Sequence, residues 1–478
     1  MKSFATFAIV SLLCFYTGSY SQKIWTLEEC INYALENNIQ IKQQKLNYDY
    51  SRNSYTQSKA NVLPNLNGSI GENLNWGRYI DPYTNEFTDN NNNSMNLGLS
   101  STVVLFNGFQ NINTIKQNEY KLLASIEDIE KMKNDISMNI AAAYLQILYY
   151  KDMLLVAQNQ VETTNFQIER TIKMVEAKSL PEGSLLEIQA QVAGEELQVI
   201  TNQNQLDIAY LTLTQLLDLD TVAGFEILIP EFPDLNVQTI NFSIEDIYKE
   251  SLEKMPQIRS AEYNLKSAEK GLSIAKGGRS PRLSTTLSWG TGYSSAYENY
   301  FITDSSMVIT TSGFTQIGTE TYNVYSYYPQ ITYGSEKREF GEQLKNNRST
   351  SLGFNLSIPI FNGLQTHTSI SNAKISLLNS QYTLQLQKDQ LYKDIQQKYT
   401  DVLAALKKYY STKKALESLQ TSFAYTKDKY EVGMVNFVDF NIAKNNLAKT
   451  SSDLLQAKYD YIFKTKILDF YRGIPIKL

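Results

Sequence analysis

Residues 96–110 read NLGLSSTVVLFNGFQ, and residues 351–365 read SLGFNLSIPIFNGLQ. Both segments alternate with period 2, close on Phe-Asn-Gly and run into a long helical pattern. In the first, Leu97, Leu99, Val103 and Leu105 share one side, with Gly98, Ser100 and Thr102 on the other. In the second, Leu352, Phe354, Leu356, Ile358 and Ile360 share the apolar side, against Gly353, Asn355 and Ser357. A strand with one greasy and one polar face suits a boundary between lipid and water. Pro359 falls inside the second segment, where it removes a ladder donor and predicts a bulge or bend near the end of the strand.

Working outward, the duplication covers much more of the chain. Thr26-Leu27-Glu28 opens a helical pattern running through Ala60 to Pro64, and Ser243-Ile244-Glu245 opens one running through Gly277 to Pro281. Glu28 matches Glu245, Gln40 matches Gln257, Lys59 matches Lys276 and Pro64 matches Pro281, a constant shift of 217. Thr26 and Ser243 are N-cap candidates, with Glu29 and Asp246 at capping-box spacing. Each Pro precedes a first strand, so four strands are expected, over 66–77, 95–106, 282–292 and 349–361. Between the strands of each half lies a loop, polar in the first half and Tyr-rich over 293–348 in the second. Beyond the loops the shift becomes 255, so the second loop carries 38 more residues (255 less 217). Long loops on one side only are a habit of outer-membrane barrels.

Past each Phe-Asn-Gly comes a run with no Pro, roughly 110–175 and 365–430. Ile136, Ile140, Ala143, Ile147, Tyr150, Leu154, Ala157 and Val161 step alternately by 4 and 3, which is coiled-coil patterning. At ~1.5 Å per residue each run reaches about 100 Å. Pro181 and Gly183 break the first run, and Gly433 breaks the second; a further helix follows each break. Short breaks between long helices predict antiparallel hairpins, each with a tip far from its strands. The domain plan is therefore a signal peptide over 1–21, a first repeat over 22–220, a linker over 221–242 and a second repeat over 243–478.

Four strands cannot close a barrel, and an open edge in lipid leaves backbone groups unsatisfied at several kcal/mol each. Chains must pool their strands. Two would give eight, an interior filled by side chains; three would give twelve and room for a conduit. The expected fold class is mainly α with four membrane β-strands per chain. Three chains then build a twelve-stranded barrel on a coiled-coil α-helical barrel.

Composition narrows the function. The 478 residues carry a net charge of −5 with Lys and Arg dispersed, which argues against nucleic acid. Lys2, the apolar run from Phe4 to Tyr16 and Ser19-Tyr20-Ser21 form an export signal, and Leu13 before Cys14 departs from a lipidation motif. Past it, 18 uninterrupted apolar residues never occur, so a spanning helix is not expected. Cys30 is expected in the core of the first helix, and His367 in solvent, since a metal site needs several convergent ligands. The sequence shows neither a nucleophile–base pairing nor a phosphate-cradling Gly loop nor a Cys/His cluster, so neither an enzyme nor a cofactor site is expected.

The twofold repeat, the junctions Phe106-Asn107-Gly108 and Phe361-Asn362-Gly363, and the tip Tyr430-Glu431-Val432-Gly433 followed by Val438-Asp439 resemble the TolC family of outer-membrane efflux and secretion channels. The likeness runs over essentially all of the chain past the signal. It implies a homotrimer in the cell outer membrane with its helical part in the periplasm. Substrate would arrive at the tip from an inner-membrane pump joined through a periplasmic adaptor protein. Members often carry Val-Gly-Thr at the tip, where this chain has Val432-Gly433-Met434, and a second Asp where it has Ile442.

The candidate sites follow. Asp439 and its repeat counterpart Glu187 would set a carboxylate ring at the narrow end of a trimer, favouring cations. As ordinary residues they are solvated acids near helix N-termini. Leu180, Pro181, Val432, Gly433 and Met434 are candidates for docking the adaptor, against a plain helix–helix turn. Trp76 and Trp289 are candidates for an interfacial aromatic girdle, against burial between protomers. Two competing functions remain open: a poreless periplasmic coiled-coil scaffold, and a surface adhesin or receptor using the Tyr-rich loop 293–348.

Overall fold

A computed structural model describes residues 24–81, 85–88, 91–220, 222, 224–230 and 242–477. The expected signal peptide over 1–21 lies outside them, as do residues 231–241 of the expected linker. The described residues form two compact units, one running up to Tyr55 and through Gln117–Glu269 and from Ile375 onward, the other Thr56–Lys116 with Lys270–Lys374.

In chain order the elements are β1 (Ile24–Trp25), α1 (Leu27–Asn37), α2 (Ile39–Ala60), β2 (Asn67–Asn75), β3 (Tyr79–Ile80), β4 (Phe87–Thr88), β5 (Asn92–Phe106), α3 (Gln110–Glu176) and α4 (Glu182–Leu216). They continue as β6 (Glu226–Ile227), α5 (Ile244–Lys254), α6 (Pro256–Gly277), β7 (Arg282–Ser294), β8 (Glu298–Ile317), β9 (Glu320–Lys337), α7 (Phe340–Asn346), β10 (Ser349–Ser357), α8 (Gln365–Glu431) and α9 (Phe437–Tyr471). α3 and α8 are each 67 residues long; α4 and α9 are each 35.

In the helical unit, Thr26 and Ser243 each close a capping box, with Glu29 and Asp246 respectively. The helices they start are shorter than the sequence suggested. The first breaks at Asn38 and the second at Met255, ahead of Pro256, which disfavours helical backbone at the residue before it. Leu27, Cys30, Ala34 and Ile41 pack with Ile136, Ile140, Tyr144 and Ile147 of α3 and Leu213 of α4. A second cluster joins Ile247 and Ile258 to Leu391, Ile395 and Val402 of α8. Burial on α3 is wider than the 4-and-3 stripe, since Ala141, Tyr144, Leu145 and Leu148 are buried too. That width gives α3 a stretch long and apolar enough by composition to cross a membrane, unlike the expectation from uninterrupted runs. Of that stretch 44% is buried inside the protein, where Ile140, Tyr144, Ile147 and Leu148 join the core. The linker is also more than a tether: β6 pairs in parallel with β1, and the Tyr144 hydroxyl lies 2.5 Å from the Leu228 carbonyl and 3.2 Å from that of Trp25.

The other unit holds a four-stranded antiparallel sheet in the order β10-β7-β5-β2. Register aligns the apolar positions: Leu99 stands opposite Trp289, Leu287 opposite Leu352, and Leu283 lies between Phe106 and Leu356. Opposed residues share a face; Leu283 is half-buried, but Leu352 and Leu287 are exposed, at 63% and 50%, as is Phe354 farther along the same face of β10. The other face carries Thr102 hydrogen-bonded to Thr286, with Gly353 next in the row. A bulge between Val104 and Phe106 returns Phe106 to the apolar side. β10 stops at Ser357, so Pro359 lies beyond the ladder rather than bending it, as expected of a residue that cannot donate.

The Tyr-rich segment 293–348 is not a loop. β8 and β9 form a two-stranded ribbon joined at Gly318, followed by the short α7.

Each strand hands over to its long helix at Phe-Asn-Gly. Gly108 and Phe109 take φ of 64° and 62°, and Gly363 and Leu364 take 61° and 66°. Asn107 and Asn362 turn their side-chain oxygens to the backbone N–H of Asn111 and Thr366, capping α3 and α8. The junctions differ in their surroundings. A side chain on Gly108 would come within 2.5 Å of the Gly277 carbonyl, while at Gly363 it would meet nothing within 4 Å. Gly363→Ala should therefore cost about 1 kcal/mol from the left-handed backbone alone. Gly108→Ala should cost several times that, read as the shift in thermal midpoint of the purified protein; equal shifts would contradict this packing.

Candidate functional site

The two helix–helix turns meet in one groove of the helical unit. Leu180 and Glu187 from the first turn line it with Val432, Gly433 and Met434 from the second. Pro181 and Asp439 are not part of its lining. Pro181 is the N-cap of α4 and has no side chain able to accept from the helix. Both turns end their helices the same way. Gly433 takes φ 78° with Met434 N–H donating to the Lys429 carbonyl at 2.8 Å, and Lys178 takes φ 57° with Ser179 N–H donating to Met174 at 2.8 Å. This is the Schellman closure, which satisfies carbonyls left over at a helix end. Gly433 adopts it without a Cβ clash; Lys178 adopts it with one.

Arg170, at the end of α3, clips the groove shut on one side. Its guanidinium lies 5.3 Å from the Tyr430 ring centroid and donates to the Glu431 carbonyl at 2.8 Å. Tyr430 stacks on Phe440 at 4.6 Å, and Phe440 packs against Phe423. Burial pushes the Tyr430 hydroxyl up, while the Arg170 charge pulls it the other way. Asn436 caps α9 by accepting from the Asp439 N–H at 2.9 Å. That bond fixes the Asp439 backbone; the side chains of Asp439 and Glu187 are both exposed.

Farther along the same helices lies a cluster that sequence reading did not single out. Lys444 of α9 and Glu195 of α4 form an ion pair at 2.6 Å with both side chains buried, 7% and 6% exposed. Thr164 of α3 donates to the second Glu195 oxygen at 2.5 Å and also accepts from Lys444. Gln191 donates to Glu195 at 2.8 Å and accepts from Asn441, while Gln160 reaches Asn445. Burial holds the Lys444 ammonium below its ordinary range, with Glu195 drawing it back. Three helices are thus tied through one carboxylate. The trace in the sequence is a Lys between Phe440 and Leu447 at helical spacing, which dispersed charges elsewhere on the helices obscure.

The remaining candidates do not line the groove. Phe106, Asn107, Gly108, Phe361, Asn362 and Gly363 form the strand–helix junctions, and Trp76 and Trp289 belong to the sheet region with exposures of 72% and 38%. His367 is exposed, and among the described residues three or more possible metal ligands never cluster.

This arrangement of sheet, junctions and paired helix tips can be compared with known proteins. Residues 30–218 and 247–466 match the outer membrane efflux protein family. The chain belongs to the outer membrane efflux protein family. Its curated relatives include outer membrane protein TolC of Vibrio cholerae, 20% identical over 93% of this chain and 90% of the relative. Another is toxin and drug export protein A of Aggregatibacter actinomycetemcomitans, 21% identical over 91% and 83%. Among solved structures, CusC superposes with a TM-score of 0.75 at 16% identity, covering 94% of this chain and 92% of that one. VceC of Vibrio cholerae gives 0.74 at 14% identity, covering 94% and 96%. The efflux protein therefore shares the fold of these channels and resides in the cell outer membrane, with its helices in the periplasm.

The buried clasp makes a firm prediction for this channel. Lys444→Met strands the Glu195 carboxylate in a closed site and should cost about 3–5 kcal/mol. Adding Glu195→Gln should recover most of the loss, measured by thermal unfolding of the helical signal; a double variant as unstable as the single one would contradict the pairing.

Proposed function

We propose that this protein is the outer-membrane duct of a three-part export assembly, a homotrimer through which substrates pass without energy input of its own. An inner-membrane pump would supply the energy and a periplasmic adaptor would seat on the tip groove. The observation that carries the reading is the sheet, whose apolar face is exposed and whose outer strands β2 and β10 have no further neighbour among the described residues. In lipid those edges need partners. Three copies supply twelve strands, a number that leaves a lumen.

Two further observations support pooling with sister chains. The second junction is bare at Gly363, whereas the equivalent Gly108 is packed by the end of α6. Under the repeat shift of 217, the counterpart of Gly277 is Ala60, so α2 of a sister chain is the natural cover for Gly363. On α8, Ile375, Leu378, Tyr382 and Leu386 are exposed, and on α2 so are Leu46 and Tyr50. The matching lengths of α3 with α8 and α4 with α9 favour the duplication on which this argument rests.

In a trimer Asp439 and Glu187 would contribute three carboxylates each near the tip. The protein should fractionate with outer membranes, run at trimer size in mild detergent and conduct in planar bilayers. Asp439→Ala with Glu187→Ala should reduce cation selectivity severalfold, and unchanged selectivity would remove the acidic-ring role. Leu352→Arg should cost roughly 2–4 kcal/mol in membrane-inserted stability, as for a lipid-facing cation near the bilayer midplane. Ser288→Arg, on the opposite face, should cost much less; equal costs, measured by refolding into vesicles, would sink the assignment of faces.

A further inference from the structure

The β8–β9 ribbon is amphipathic, and its register shows how. Ile302 stands opposite Tyr333, Met307 opposite Pro329, and Ile309 opposite Tyr327, all on one face. Phe314 joins the same face beyond a second irregularity. In sequence these positions change parity twice, from even to odd and back, so the alternation is hidden. Two bulges, at Thr303 and Ser312, absorb the extra residues and keep the face continuous. Their hydroxyls donate across the ribbon to the carbonyls of Thr332 and Val324. Between Tyr300 and Phe314 this face carries no formal charge, while the other carries Asp304 among Phe301, Val308, Val324 and Tyr328. Met307, Ile309 and Tyr327 are each at least 60% exposed.

The root of the ribbon is built, not loose. Ser294, fully buried at the end of β7, donates to Asp81, and its backbone exchanges two hydrogen bonds with the Gln343 side chain of α7. Asn92 bonds both Asp81 and Ser294. Arg338 lies 4.6 Å over the Tyr297 ring and donates to Asn299. The ribbon therefore leaves the sheet, at the end away from Arg282, in a fixed direction.

A two-stranded ribbon standing alone is marginal in water, and an apolar face of this size marks an interaction surface. We propose that the face is covered by the same ribbons of the sister chains, gathered over the outer mouth of the channel. The inference rests on the trimer proposed above. At ~3.3 Å per residue and ~4.8 Å between strands, the face measures ~45 Å by ~10 Å, or ~450 Å² per copy. That is little more than half of the ~800 Å² per partner expected of a stable free complex. It suffices among chains already held around one axis, where the contact forms at high effective concentration. Lacking charge, the face meets its own copies without like-charge repulsion and offers a charged partner nothing to pair with.

The test uses the full-length protein in detergent, dilute enough that separate trimers do not meet. Tyr327→p-benzoylphenylalanine should give chain-to-chain photoproducts mapping within residues 298–337 of the sister chain. The same probe at Gln330, on the opposite face, should give at least tenfold less. Adducts only to lipopolysaccharide or to an added protein would overturn the proposal, as would equal yields at the two sites. Size and conductance of the same preparations separate the two readings. A conducting trimer without ribbon crosslinks removes only this inference, whereas a monomer removes the trimer as well. Ile309→Glu with Tyr327→Glu should raise hydrogen exchange across the ribbon at least tenfold while leaving the trimer intact; unchanged exchange would overturn it.

Discussion

Hydrocarbon offers a backbone no hydrogen bonds, and that single constraint organises the rest of this protein. The four strands satisfy each other only inward: β7 and β5 are paired on both sides, β10 and β2 on one. In water such edges are tolerable. In lipid each unpaired group costs several kcal/mol, which is the ground for the pooled strands proposed above. The exposed Leu287, Leu352 and Phe354 make the same demand of their surroundings from the face of the sheet as the free ladders make from its edges. A globular core would have hidden those side chains; here the apolar core belongs to the helices.

The junctions translate the sheet into helix within three residues. Two consecutive left-handed residues reverse the chain, and the Asn before them caps the helix that follows. The first junction is locked by contact with Gly277, while the second stands open. Equal sequence thus meets unequal packing at the two junctions.

Toward the tips, polar chemistry replaces apolar packing. Lys444, Glu195 and Thr164 join α9, α4 and α3 through charge-assisted bonds whose burial makes any mismatch costly. Such a clasp adds little net stability over an apolar contact. It does fix the relative register of three helices, which apolar side chains allow to slide. Arg170 over Tyr430 performs a similar task nearer the turn. The adaptor-docking residues and exposed acids proposed for the tip are thus presented on helices whose alignment is set by neighbouring polar contacts.

Alternation, Phe-Asn-Gly turns and self-similarity revealed the four strands of the sheet, both long helices, the tight tips and the family, because each depends on residues close together in the chain. Local chemistry of this kind is written in consecutive letters: Asn107 caps Asn111, Gly433 ends α8, and Thr26 pairs with Glu29. Contacts between distant segments were not legible. Pairing of β6 with β1 and the Lys444–Glu195–Thr164 clasp each join elements according to what packs beside them. The ribbon of β8 and β9 was missed for a related reason. Two bulges shift its parity, and only the partner strand shows that the scattered Ile302, Met307, Ile309 and Phe314 make one face. A strand's pattern is local, but its register is a property of two strands, and tertiary structure alone supplies the second.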